Sequence, residues 1–415
     1  MPEIREIGNL ELPRPELYHL SNGIPVYDTN LGTQDVVKLE IVFFAGRPGE
    51  RKKLASRGTA SLLKEGTTHY SSSDIAEIFD YYGASLSTPV GLDMASILLY
   101  SLKKNFEQLL PVVSEMLSEP LFPQKELDAF AERNKQRLQV ELTKNDVLAY
   151  RKFTELLYGE DHPYGYNSMP ETYDALKRED LVAHFEENFT AGNCMIFVSG
   201  KTGREVRLLL EQYFGKTIRE GARRQVVVPP AKSVPERIKI EHPTAVQTAI
   251  RIGCPLFNRL HPDYNGMYLL NTILGGYFGS RLMNNVREEK GYTYNIYSSH
   301  EAMLHDGYFY VSTEVGKEFQ EATLREIYAE MERLQEKLVG KEEMEMVRNY
   351  LLGSLLTNLD GAFNIAEVVK TFVTEGVPLS HFEELVAAVK TISPKEIRAL
   401  ARKYFSTEKM WEVVV

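Results

Sequence analysis

Apolar and polar positions alternate along Val36–Ala45 (VVKLEIVFFA) before running wholly apolar, the pattern of a strand that passes from half-buried to buried. Gly23–Thr29 is a shorter strand-like piece flanked by turn signals, and Arg47–Lys53 is a polar loop. The period then changes. Leu54–Leu63 predicts a helix closed by Gly66, and Ser71–Ser73 with Asp74 supply an N-cap for a second helix that ends at Gly83. Ala84–Pro89 and Asp93–Leu102 read as paired strands. Phe106–Leu117 reads as an amphipathic helix, and Leu127–Tyr158 as one long or broken helical stretch. Residues 162–171 (HPYGYNSMPE) read as a loop, Cys194–Ser199 as a short buried strand and Gly203–Phe214 as a helix.

The stretch Thr217–His242 reads as a linker, because Pro229, Pro230 and Pro235 remove backbone donors and stiffen the chain. Beyond it the order repeats. Thr244–Cys254 is an alternating strand like Val36–Gly46, and Asp263–Leu274 a helix like Leu54–Leu63. Asp306–Val315 answers Asp93–Leu102, and Phe319–Leu334 answers Phe106–Leu117, at offsets of 208–213 residues. A period this long predicts a duplication into two similar domains, not a solenoid. The expected organisation is residues 1–216, a linker over 217–242 and a second domain over 243–415. The expected fold is α+β, each domain a mostly antiparallel sheet with helices on one face. Lys341–Tyr404 is largely helical and Trp411–Val415 is a last apolar strand.

The length of 415 residues suits two domains of roughly 200 each. A net charge of −10 gives no electrostatic support to nucleic-acid binding. No apolar run reaches the length of a membrane helix, and the charged, proline-bearing N-terminus is not a signal peptide. A cytoplasmic location is expected, or a periplasmic one if a signal peptide has been removed. Cys194 and Cys254 sit in or beside apolar strands and read as buried, reduced thiols. No C-x-x-C pair offers a thiolate zinc site.

A hydrolytic zinc site needs three protein ligands and an open position. None of the nine histidines supplies the usual helical pairing. His300 and His305 are five apart, about 140° around a helix, and read as a polar hairpin. His69 and His162 read as solvated loop residues. His19, His184, His242, His261 and His381 have no partner at ligand spacing. Gly275, Gly276 and Gly279 lack the lysine of a phosphate loop and read as a helix end permitting close approach.

The stretch Gly275–Tyr294, GGYFGSRLMNNVREEKGYTY, carries a resemblance. With the duplicated halves and the proline-bearing linker, the chain resembles the pitrilysin/insulinase family of zinc peptidases, in particular the shorter subunits similar to mitochondrial processing peptidase. Active members carry H-x-x-E-H nine residues before a Gly-Thr. Here that Gly-Thr is Gly66-Thr67, and the three key positions hold Arg57, Ala60 and Ser61. The resemblance therefore implies a chain without metal ligands, since arginine cannot deprotonate to bind metal and alanine offers no base. A distal glutamate ligand would fall near Glu141, but a lone carboxylate makes no tight zinc site.

The family's R-x6-Y pair matches Arg287 and Tyr294 without a gap. The resemblance implies that both side chains reach the substrate, where they could hold an extended peptide and stabilise charge developing on its carbonyl. The competing reading pairs Arg287 with Glu288 or Glu289 and packs Tyr294 in a sheet. Arg281 is either a surface arginine or a substrate contact. The resemblance also implies a homologous partner that carries H-x-x-E-H and the zinc, with no cofactor in this chain. It allows a homodimer in isolation, and an inert scaffolding paralogue as the alternative. The chain alone would then be inactive and would contribute to peptide hydrolysis in a heteromeric complex.

Overall fold

The structure, a computed structural model, describes residues 8, 10–241 and 246–415. Residues 1–7, Asn9 and 242–245 lie outside the described residues, and with them the readings of the extreme N-terminus, of His242 and of a strand start at Thr244.

The first half runs β1 (Glu16–His19), β2 (Pro25–Asn30), β3 (Val36–Phe43), α1 (Ala55–Leu62), α2 (Ser72–Tyr81), β4 (Ser85–Ser87), β5 (Ala95–Leu102) and α3 (Phe106–Ser118). It continues with α4 (Gln124–Glu141), α5 (Asn145–Tyr158), α6 (Pro170–Asp174), α7 (Arg178–Asn188), β6 (Cys194–Gly200) and α8 (Arg204–Phe214). The cap expected before α2 is a full capping box: Ser71 N donates to Asp74 Oδ2 at 2.8 Å and Asp74 N to Ser71 Oγ at 3.2 Å. The stretch Leu127–Tyr158 is broken at residues 142–144 into α4 and α5. Three elements escape the sequence reading. Strand β1 is only four residues long. Helix α6 starts on Pro170, inside the run read as a loop, and α7 buries only Leu181, His184, Phe185 and Asn188.

The second half runs β7 (Arg237–Lys239), β8 (Gln247–Leu256), α9 (Tyr264–Leu274), a π-helix over Met283–Glu289, β9 (Ile296–Ala302), β10 (Gly307–Gly316) and α10 (Gln320–Glu336). It ends with α11 (Lys341–Thr357), α12 (Gly361–Thr374), α13 (His381–Thr391), α14 (Pro394–Tyr404) and β11 (Trp411–Val414). The stretch read as pure linker thus ends in strand β7, which pairs parallel with β11.

The two sheets have the orders β1-β2-β6-β3-β5-β4 and β7-β11-β8-β10-β9. Without β1, the first order matches the second strand for strand. The senses match as well: one parallel pair at the outer end (β2–β6 and β7–β11) and antiparallel pairs elsewhere. The fold is α+β, with two mostly antiparallel sheets and helices against them.

Each sheet is also covered on its second face, and by a helix of the other half. Helix α5 packs on β8 and β11, while α12 packs on β6 and β2. Ala149, Phe153, Leu156 and Leu157 of α5 accordingly belong to the second half's core, and Tyr158 Oη donates to Gly307 O at 3.2 Å. Gly253 of β8 makes room for this crossing, because a Cβ there would stand 2.8 Å from Phe153 Cζ and 1.9 Å from Phe309 O. Strand β3 shows the sequence consequence. Val37, Leu39, Ile41 and Phe43 enter the first half's own core, while Lys38 and Glu40 point the other way and are still only 3% exposed. Both meet α12. Lys370 Nζ donates to Glu40 at 2.9 and 3.0 Å, and Lys38 donates to Glu367. Lys370 also sits 2.6 Å from Glu367. Burial alone would lower the Lys370 pKa and raise that of Glu367, but the mutual hydrogen bonds and charges reverse both directions.

Candidate functional site

The glycine-rich turn after α9 comes first. Added Cβ atoms would stand 2.6 Å from Ser298 N at Gly275 and 2.7 Å from Thr272 Cα at Gly276, so both positions demand close backbone approach. The chain then passes through the π-helix, where Lys290 N donates to Asn285 O, five residues back, at 3.2 Å. Asn285 faces inward and fastens the π-helix to α10, its Nδ2 donating to Glu326 at 3.0 Å and Glu330 at 2.7 Å.

Arg287 leaves the last turn of this helix. Its guanidinium lies over the Phe278 ring, 4.6 Å from the centroid. Its Nη1 is 3.1 Å from Glu288 Oε1 but outside hydrogen-bonding geometry, and that buried nitrogen has no acceptor. The contact with Glu288 is therefore real but leaves a donor unused. Phe278, 66% exposed, is the residue that sequence reasoning missed. A large aromatic between glycines was its signal.

Tyr294 lies seven residues on, and it does not pack in a sheet. It is 90% exposed, in the loop before β9. Its neighbours explain why. Thr293 Oγ1 donates to Glu314 O at 2.7 Å, and Asn295 O accepts from Thr313 Oγ1 at 2.8 Å. With residues on both sides pinned to β10, the phenol between them is turned outward. Strand β9, which follows, is an edge strand whose one neighbour among the described residues is β10. Arg281 is no free contact: Glu343 takes both its Nε and Nη2, at 2.7 and 2.8 Å.

The three key positions of α1 do not fit zinc. Arg57 donates to Asn134 Oδ1 at 3.0 Å and Tyr173 Oη at 3.4 Å, which ties α1 to α4 and α6. Ala60 is fully buried and Ser61 carries no base. Glu141 pairs with Arg137 along α4 at 2.7 Å. Both cysteines are free and buried, and burial raises both thiols, Cys254 to about 12, so neither is a nucleophile at neutral pH.

The histidines need two corrections. His162 is buried, its Nε2 on Pro229 O at 2.8 Å and its ring stacked on Tyr158, because the proline-rich strap covers it. His69 is exposed but not alone: with Glu115 and Glu119 it forms a trio whose ligand atoms lie within 4.8 Å of one another. In that trio Glu115 Oε1 already accepts from Thr67 Oγ1 and His69 N. His300 and His305 do lie on a hairpin, β9 to β10.

His184 and His300 are each pushed down to about 4 by burial, only partly offset by bonds to Ala45 O and Phe257 O. Their folded values lie below the unfolded value of about 6.5. Their stabilisation is therefore complete above that pH and is lost as pH falls toward 4. His184 alone accounts for on the order of 3 kcal/mol. Urea midpoints should fall steadily from pH 7 to pH 4.5, and the NMR titration of His184 should show no protonation above pH 5.

No described helix is long and apolar enough to cross a membrane. A family profile described as "Peptidase M16 inactive domain" matches residues 175–351. A Rickettsia felis protein called "Uncharacterized zinc protease" is 24% identical over 397 residues, 94% of each chain. The "Non-peptidase homolog YmxG" of Helicobacter pylori is 22% identical, covering 81% of this chain and 78% of its own. Among solved structures, a peptidase M16 inactive domain from Pseudomonas fluorescens superposes with a TM-score of 0.88 at 24% identity, over 96% of this chain and 97% of its own. A chain of Complex III2 from Candida albicans superposes with a TM-score of 0.78 at 13% identity, over 96% and 95%.

Proposed function

We propose that the chain is a member of the pitrilysin/insulinase (M16) family of peptidases and, within it, the subunit that grips peptide while a homologous partner supplies zinc and the general base. The observation that carries the proposal is a contrast inside one polypeptide. The metal positions are filled by an arginine already in use, a buried alanine and a serine. The second half nevertheless holds out a free phenol at Tyr294 and a partly exposed Arg287 side chain resting on Phe278. A tyrosine this exposed contributes little to a core, and its placement between two pinned residues suits contact with a ligand. An extended peptide can satisfy both groups through its carbonyls and add to the free edge of β9.

The test is purification of the chain alone and with a partner carrying an intact H-x-x-E-H. The lone chain is expected to bind no stoichiometric zinc and to cleave no peptide, and the mixture to do both. Zinc-dependent cleavage by the lone chain rejects the divided site. The second reading, a scaffold without a catalytic role, draws on the name of the Helicobacter pylori relative and on the likeness to a respiratory-complex chain. It expects Arg287 and Tyr294 to be dispensable in any complex.

A further inference from the structure

Arg251 sits in the middle of β8, a central strand, level with Ser312 of β10 and Tyr297 of β9. It is 6% exposed. Buried guanidinium groups are ordinarily paired with carboxylates, yet among the described residues Arg251 has no ion-pair partner. Its Nη2 donates to Ser312 Oγ at 3.2 Å, and its buried Nε has no partner. The guanidinium lies near two rings, 4.7 Å from the Tyr310 centroid and 5.1 Å from that of Tyr150 on α5. Ring faces stabilise a cation but accept no N–H in the guanidinium plane. Tyr150, the outer ring, is 39% exposed, so the site lies under a tyrosine edge and not beneath sealed core.

We propose that Arg251 receives a carboxylate carried by the peptide bound at β9. The planar fork of donors matches a carboxylate. The flanking groups set the charge: Glu301 accepts from Tyr310 Oη at 3.4 Å, and Glu314 lies two residues from Ser312 on the same face of β10, beside Asp146. These carboxylates leave the neighbourhood of the guanidinium net negative, which repels a dianion such as phosphate more strongly than a singly charged anion. From β8 to a strand added beyond β9 is three strand spacings, about 14 Å, which about four residues of extended chain cover. The carboxylate thus comes either from the C-terminus of a peptide that turns across this face or from an acidic side chain. The anion site stands on Arg251 itself; only the carrier rests on the peptide-gripping reading.

The full chain, labelled with 15N-arginine, is titrated with sodium acetate against sodium chloride at equal ionic strength. The Arg251 Nε resonance is assigned by its loss in Arg251→Gln, or in Arg251→Lys if the first variant does not fold. A saturable shift with acetate and none with chloride is expected; an Nε resonance indifferent to acetate overturns the proposal. Peptides ending in a free carboxylate or an amide, each with an internal Glu or Gln, then identify the carrier. The better carboxylate should tighten binding about tenfold, and the gain should vanish in Arg251→Lys. Acetate binding without any peptide binding leaves the anion site standing and removes the peptide-gripping reading instead.

Discussion

Tyr294→Phe, assembled with a zinc-bearing partner, is expected to lower kcat for peptide cleavage by about 10²-fold while leaving KM nearly unchanged. The substitution removes one hydroxyl from a side chain that is 90% exposed and touches no core. The chain's own stability should therefore be untouched, and any loss belongs to the transition state. A donor aimed at the developing oxyanion acts there and hardly at all in the ground state. Arg287→Ala should behave differently, raising KM as well, because a partly exposed guanidinium held on Phe278 can also hold a ground-state carbonyl. Steady-state kinetics of the two variants in the assembled complex check this. Wild-type turnover in both would establish the scaffold reading.

Lys370→Met is expected to destabilise the packing of α12 on the first sheet by about 3 kcal/mol, read as an earlier first transition in urea. Glu40 is only 3% exposed and takes two hydrogen bonds from Lys370, so the substitution strands a carboxylate that water cannot reach. Lys38, 3.4 Å away and also bonded to Glu367, compensates poorly. The double variant Glu40→Gln with Lys370→Met removes the stranded charge and should recover most of the loss. If the single and double variants unfold together, the network contributes no net coupling.

The sequence made the elements of both sheets legible wherever apolar periodicity was long. Strands β3, β5, β8 and β10 and helices α3 and α10 are of this kind, and their similar spacing in the two halves exposed the repeat. What stayed hidden had weak or short patterns. Strand β7 offers three residues at the end of a proline-rich run, and α7 carries too few apolar positions to announce itself. The exchange of α5 and α12 was invisible because apolar periodicity shows that a face is buried, not which half buries it. The site was legible only in part. The spacing of Arg287 and Tyr294 stands in the sequence. That one rests on an aromatic ring while the other is turned outward by Thr293 and Asn295 depends on contacts distant along the chain. Arg251 left a trace, an arginine amid the apolar run TAIRIGC, but its lack of a carboxylate is a fact of three-dimensional packing.

The exchange of covering helices bears on how such a molecule could have arisen from a single ancestral copy. A lone half carries a helix that belongs on somebody else's sheet and a sheet that waits for somebody else's helix. Two ancestral copies would have satisfied each other by trading arms, and the proline-bearing stretch before β7 is where a gene fusion would have made that marriage permanent. Nicked in that strap, the present protein should hold together as two complementary fragments, while either fragment made separately should seek a mate or precipitate.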